Sequence, residues 1–563
     1  MNAAVRARDL RFQYQRGKTF ALDGIEFEQA PGEAVAVAGK SGAGKSSFLL
    51  CLNRIIPNFY RGEFSGDLEI FSESVKDLRT FQLASRVGLV LQDFESQLFS
   101  TRAELDVAFG PENLGIPREE MGRRIASALE AVGMENFRDR APESLSGGEQ
   151  QRLAIASVLA LAPELILFDE AVTDLDPLGR EQVAAVMRQL KAQGRTVILV
   201  DYEPEDLLMA DRIVILDHGK IVAEGSRDKI LCDPALLIAH GIRPPEMAEL
   251  FKELKVSPFQ LDPIAAARAL RNQNWNLQRE VLDRIRSADE EKEKRRGELL
   301  IQARGLEHVY PNGNQALSGI DLEIRRGDFL ALIGQNGSGK TTLVKHLNGL
   351  LPATKGGVKF DGREVRPELI SELGRDIGYV FQNPDHQIFS NRVYDEAAFA
   401  PRNFGFVESE VKQRAGAALE LVGLSGRENE NPFLMTKGER QRLAIAGVLS
   451  AQPRVLIFDE PTTGLDYTEQ QKVMDLLQRL NREGKTIIII THTLWLVARY
   501  ASRAAVMARG RKILEGGVRE VLSRPEKLKE ASLIPPEITR FGLELGFGFL
   551  SVGEAVRALR RGP

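Results

Sequence analysis

Two glycine-rich turns mark the places where this sequence could do chemistry. Gly39-Lys40-Ser41-Gly42-Ala43-Gly44-Lys45-Ser46-Ser47 follows the apolar run 34–38, and Gly334-Gln335-Asn336-Gly337-Ser338-Gly339-Lys340-Thr341-Thr342 follows the apolar run 329–333. A glycine turn between a strand and a helix lets successive backbone N–H groups close on phosphate oxygens, and the helix start adds partial positive charge. In that setting Lys45 and Lys340 reach outer phosphates, while the hydroxyls of Ser46 and Thr341 ligate Mg2+. Asp169 and Asp459 end the apolar runs 165–168 and 455–458, where a carboxylate can hold the Mg2+ shell. Glu170 and Glu460 come next, placed to orient or deprotonate an attacking water. The chemistry these residues point to is phosphoryl transfer to water.

These residues occur twice because the chain repeats itself. Arg152-Leu-Ala-Ile-Ala156 recurs 290 residues later as Arg442-Leu-Ala-Ile-Ala446, and Gln92 recurs at the same offset as Gln382. Lys45 recurs 295 residues later, so the early loops differ by a few residues. Pro244-Pro245-Glu246 near the middle matches Pro535-Pro536-Glu537 near the end. Two long units are a domain duplication, not a solenoid. Strand-like runs alternate with helix-like ones in each, which predicts an α/β fold with a mostly parallel sheet flanked by helices. The expected divisions are a first domain at 1–230, a C-terminal extension at 231–275 and a charged linker at 276–298. A second domain at 299–522 and its extension at 523–563 complete the chain.

At 563 residues the chain is too long for one core. A net charge of −4 argues against a general nucleic-acid surface. The first residues lack the apolar stretch of a secretory signal, and no run of about 18 apolar residues could span a membrane. Cys51 and Cys232 have no ligand spacing around them and read as ordinary thiols in a reducing compartment.

The motifs carry a family resemblance. Leu145-Ser146-Gly147-Gly148-Glu149-Gln-Gln-Arg152 resembles the signature of ABC ATPases, and the resemblance covers nearly the whole chain. It implies two tandem P-loop NTPase domains, each with a parallel core, an antiparallel β part and a helical subdomain, that bind and hydrolyse ATP with Mg2+. By the same resemblance Gln92 and Gln382 contact Mg2+ and sense a membrane partner. Asp176 and Asp466 match the loop that crosses between paired domains, and His492 matches the switch histidine that touches the γ-phosphate. Tyr14 and Tyr310 sit where the family stacks an aromatic on adenine; packing in the core is the other reading of both.

A narrower resemblance follows from Val90-Leu-Gln92-Asp-Phe-Glu-Ser-Gln97-Leu-Phe99, from Val380-Phe-Gln382-Asn-Pro-Asp-His-Gln387-Ile-Phe389, and from Asp106-Val-Ala-Phe-Gly-Pro. These look like energy-coupling-factor (ECF) transporter ATPases, as do the doubled tails. That likeness implies a transmembrane coupling subunit, a small membrane protein that captures a vitamin or a metal ion, and a peripheral place on the cytoplasmic face of the membrane. Thiamine or its pyrimidine precursor, cobalt and nickel are the substrates family habit offers. Gln97 and Gln387 also read as plain surface glutamines. The alternatives are the ATPase of a conventional ABC importer, and a soluble tandem ABC protein acting on ribosomes or DNA.

The halves differ. The second signature reads Met435-Thr436-Lys437-Gly438-Glu439, with Lys437 in a glycine position, and the first half has Tyr202 where the second has His492. If the two domains pair head to tail within the chain, as the family's do, both departures fall in one composite site. Lys340, Glu460 and His492 with the intact Leu145–Glu149 segment would hydrolyse ATP. Lys45, Glu170 and Tyr202 with the altered segment would mainly hold it.

Overall fold

The computed structural model describes residues 3–562 except 173, 174 and 176. The chain divides into two compact units: Met1–Pro245 with Asp466–Thr468, and Glu246–Leu465 with Glu469–Pro563.

Each unit is built on one six-stranded sheet. In the first unit the order is Lys220–Ser226, Arg212–Asp217, Ala34–Ala38, Thr196–Val200, Leu165–Asp169, Val87–Val90. All neighbours run parallel except the final hairpin strand, Lys220–Ser226. Three of the central strands read AVAVA, LILFD and TVILV and are buried along their whole length. That is the expected signature of parallel strands covered on both faces. The second unit repeats the order with Arg511–Gly517, Arg503–Ala508, Phe329–Ile333, Thr486–Ile490, Val455–Asp459 and Ile377–Val380. Each unit adds a four-stranded antiparallel sheet, centred on Val5–Tyr14 and on Leu299–Val309. Each also adds a helical part, at Ala103–Leu159 and Val393–Leu449. The α/β reading, with a parallel core, antiparallel part and helical subdomain, matches what is seen. Among the described residues no helix is long and apolar enough to cross a membrane. Cys51 and Cys232 are both free thiols.

The two extensions share one core. Helices Glu246–Leu254 and Pro263–Asn272 pack with Glu537–Leu545 and Val552–Ala558, and Phe251, Phe541 and Phe549 are fully buried among them. Trp275–Leu277 pairs antiparallel with Leu559–Arg561. The doubled Pro-Pro-Glu motifs interlock, since Glu246 Oε2 accepts from Ile538 N at 2.8 Å. The charged linker forms the helix Arg279–Lys294. Val281, Leu282 and Ile285 lean on the shared core, and Asp289 accepts from Arg519 Nε at 2.6 Å. Arg519 also holds both carboxylate oxygens of Glu554 and the carbonyl of Gly548. One guanidinium therefore ties the linker helix to the second extension. Truncating Phe541 to alanine should cost about 3–5 kcal/mol in the unfolding of this shared core. Denaturant titration followed by Trp275 fluorescence in a Trp495→Phe background measures it.

Candidate functional site

Both glycine turns wrap from a buried strand into a short helix. Gly39 has φ +145 and Gly334 φ +154, and a Cβ there would lie 2.1 Å from Leu216 O and 2.3 Å from Met507 O respectively. Only glycine lets the loop lie that close to the neighbouring strand. Lys45 Nζ donates to Gly39 O at 2.9 Å and Lys40 O at 3.0 Å. Lys340 Nζ donates likewise to Gly334 O at 2.7 Å and Gln335 O at 2.8 Å. Each ammonium is 5–6% exposed and held across its own loop. Ser47 and Thr342, next along the helices, bond the hydroxyls of Tyr14 and Tyr310, each at 3.0 Å. Both tyrosines therefore stand over the loop-helix junction.

The expected metal ligands come together in pairs. Ser46 Oγ donates to Asp169 Oδ1 at 3.0 Å, and Thr341 Oγ1 to Asp459 Oδ2 at 3.0 Å. Burial pushes both aspartates above their ordinary value, against the pull of the hydroxyls and lysines. A buried carboxylate beside a hydroxyl, both hard oxygen donors, is the partial shell Mg2+ uses when it keeps waters and substrate oxygens. The residues present fit that ion. Gln92 Nε2 instead donates to Glu170 Oε2 at 2.8 Å, and Gln382 is exposed on its loop.

Glu170 and Glu460 adopt the left-handed backbone, with φ 48 and 47. Their amides continue the ladder one residue past the strand, donating to Val200 O and Ile490 O at 3.0 Å. For a side chain with a Cβ that conformation costs of order 1–3 kcal/mol, and such strain clusters at functional positions. Among the positions with this conformation are both candidate bases, at matching places in the repeat.

Their surroundings differ. In the second unit His492 Nδ1 lies 2.9 Å from Glu460 Oε1. Burial raises the Glu460 pKa, but His492 and Lys340 outweigh it and the net shift is downward. Thr491 is a further hydrogen-bond partner of this carboxylate, whose Oε2 is buried. In the first unit Glu170 has Gln92 and, at 3.9 Å, Lys45. Tyr202 is 5% exposed, with its amide donating to Asp201 Oδ1 at 2.7 Å. A further asymmetry escaped the motif reading: Tyr379 OH donates to Asp459 Oδ2 at 2.8 Å. The repeat offset of 290 puts Leu89 at that position in the first unit. Comparing the two halves residue by residue would have exposed it.

The signature segments are helix starts. Ser146 caps Gly147–Leu159 and Thr436 caps Lys437–Leu449, each in a reciprocal capping box with Glu149 or Glu439. The substituted Lys437 is drawn aside, since a Cβ on Gly464 would lie only 2.1 Å from its Nζ. Gly148 is half-buried and Gly438 buried. Asp466 groups with the first unit, where its Oδ2 accepts from Ser41 N at 3.0 Å. Asp176 lies outside the described residues.

Gln97 and Gln387 are more than surface glutamines. Gln97 Oε1 accepts from Leu91 N at 3.2 Å and Gln387 Oε1 from Phe381 N at 3.1 Å, so each pins the glutamine loop from within. Asp106 and Glu396, each 5% exposed, cap the far ends by accepting two loop amides apiece. These caps hold the edge-to-face pairs Phe99–Phe109 and Phe389–Phe399, both with centroids 4.6 Å apart and all four rings largely exposed.

The raised Asp459 pKa has a stability consequence. Folding makes this carboxyl hold its proton more tightly, so native stability falls as pH rises above the unfolded value near 4. Asp459→Asn should therefore raise the melting temperature of nucleotide-free protein at pH 7, and its advantage should shrink towards pH 4. Scanning calorimetry across that range checks both.

The family described as ABC transporter matches residues 22–173 and 317–463. A relative from Caldanaerobacter subterraneus subsp. tengcongensis, provisionally named an ABC transporter ATP-binding protein, is 45% identical across 98% of each chain. One from Methanosarcina acetivorans, named in the same way, is 38% identical across 96% of this chain and 90% of its own. Among solved structures, cbiO1 of Clostridium perfringens, described as part of an ABC transporter complex, is 37% identical. It covers 41% of this chain and 94% of its own, with a TM-score of 0.39. The chain belongs to the ABC transporter ATPases, as two ATP-hydrolysing domains joined in one polypeptide.

Proposed function

We propose that this protein is the ATPase of an energy-coupling-factor type importer, one of its sites turning ATP over and the other mainly retaining it. ABC ATPase domains pair with transmembrane subunits. The observation that carries the narrower reading is the doubled glutamine loop. In both units a glutamine and a buried acid hold the loop in shape, and two exposed phenylalanines stand beside it. Exposed aromatic pairs next to a nucleotide-linked loop suit helices of a membrane partner. The substrate is then a vitamin or a transition-metal ion captured by a separate small membrane protein. The protein would sit peripherally at the cytoplasmic face, with no nucleic-acid partner.

In each unit the loop amides and Lys45 or Lys340 would bind the phosphates. Ser46 with Asp169, and Thr341 with Asp459, would hold Mg2+, joined by Gln92 and Gln382 once those loops turn inward. Mg2+ neutralises charge on the phosphate oxygens. Ser146, Gly147, Gly148 and Glu149 would supply the intact signature, and Thr436 and Gly438 what remains of the altered one. Glu460 is the general base of the productive set. Its carboxylate is buried, and the His492 ring nitrogen 2.9 Å from Oε1 holds it in place. Glu170 has an amide neighbour in Gln92 and, in Tyr202, no imidazole at the switch position. A positioned general base contributes about 10²–10⁴-fold. Glu460→Gln should therefore lower steady-state ATPase at least about a hundredfold, and Glu170→Gln far less; equal losses would remove the asymmetry. Pull-down of tagged protein from gently solubilised membranes tests the partner reading. Recovery of a coupling subunit and a small capture protein is expected; recovery of ribosomal proteins, or of no membrane subunit, would end it.

A further inference from the structure

The two units differ in length at one place near the loops. Pro57 corresponds to Pro352 at an offset of 295, but Gly66 corresponds to Gly356 at an offset of 290. Five extra residues therefore lie between Pro57 and Gly66 of the first unit. Both glycines are structural landmarks of the same turn, with φ +94 and +70 and no room for a Cβ against the neighbouring strand.

The extra residues lengthen the antiparallel sheet. Strand Gly62–Ile70 runs nine residues where Lys355–Phe360 runs six. Its pairing with Val5–Tyr14 continues to Tyr14 itself, opposite Gly62. In the second unit the ladder stops at Glu307 opposite Lys355, short of Tyr310. Beyond Gly62 the backbone stays fastened, since Gln15 N donates to Arg61 O at 3.1 Å. Tyr60 is thereby brought to Tyr14, ring centroids 6.2 Å apart and planes at 81°. Tyr14 in turn is anchored through its hydroxyl to Ser47, two residues past Lys45. Tyr60 itself is 51% exposed. In the second unit, Tyr310 has the equivalent anchor to Thr342 and a ring neighbour from its own strand, His308, as Tyr14 has Phe12.

We infer that Tyr60 is a second base-contacting residue of the first unit, an aromatic wall that meets the edge or face of a purine resting beside Tyr14. This rests on the reading of the Lys45 loop as a nucleotide site and deepens it. A flat base gains most when aromatic surface meets it from two directions, because rings attract face to edge as well as in offset stacks. A half-exposed ring on a fastened backbone gives that contact with little ordering cost. The consequence is selective: the unit with Tyr202 in place of the switch histidine grips the base more firmly, which is what a retained nucleotide needs.

The test uses the full chain carrying Lys340→Ala, to silence the second loop, and Glu170→Gln, to prevent slow turnover. Equilibrium binding of radiolabelled ATP with Mg2+ is measured with Tyr60 intact and as Tyr60→Ala, Tyr60→Phe and Phe81→Ala, the last an exposed aromatic outside the site. Competition by inorganic tripolyphosphate reports on the phosphate part alone. Tyr60→Ala should weaken ATP binding about three- to tenfold. Tyr60→Phe and Phe81→Ala should stay within about twofold, and tripolyphosphate should compete as well in every variant as in the parent, since it has no base for Tyr60 to contact. Unchanged ATP affinity in Tyr60→Ala, or an equal loss for tripolyphosphate, overturns the inference. Absence of any ATP binding in the parent double variant overturns the nucleotide reading of the Lys45 loop, and this inference with it.

Discussion

A carboxylate taken out of water must be compensated or it gives up its charge. Asp169 and Asp459 stand at the ends of fully buried strands, 6% and 5% exposed, and the surrounding structure follows from that placement. The strand needs apolar neighbours on both faces, so the acid can appear only at its end. The hydroxyl of Ser46 or Thr341 must come within 3.0 Å, which places the helix start, and with it the glycine turn and its lysine. A buried acid beside a hydroxyl is a position suited to a cation.

The next residue in each case is forced into the left-handed backbone, so that Glu170 and Glu460 leave the strand sharply. The repeat has kept this strained turn in both copies while changing what the glutamate meets. Glu460 meets an imidazole, whereas the neighbours of Glu170 include the amide of Gln92. The difference lies not in the shape of the two turns but in the side chains beside them. Tyr379, donating to Asp459 where the first copy has Leu89, adds a second polar neighbour on the side that already has the histidine.

Much of this was legible in the residues. The glycine turns, the Asp-Glu strand ends and the 290-residue repeat are local patterns, each tied to one backbone requirement, and they predicted the parallel sheets. Asp201, buried and pushed up to about 7 by its burial, was invisible because nothing in Val-Asp-Tyr-Glu says that the polar residues after this strand are covered. The role of Gln97 and Gln387 was equally hidden, since a glutamine that bonds its own loop looks like one that faces water. The shared core of the extensions depends on contacts between residues some 290 positions apart, and no window along the chain reports it. The pattern shows only that Lys437 stands in a glycine position; the space left by Gly464 explains where the longer side chain goes.

The interlocked extensions carry a consequence for inheritance. Helices Glu246–Leu254 and Pro263–Asn272 belong to the first repeat by descent, yet they complete a core with helices of the second, and Glu246 caps the strand of chain that begins the other copy's helix. Cutting the polypeptide within Arg279–Lys294 would not yield two self-sufficient proteins, because each fragment would carry half of one hydrophobic interior. The two copies are thus joined through a part that neither completes alone.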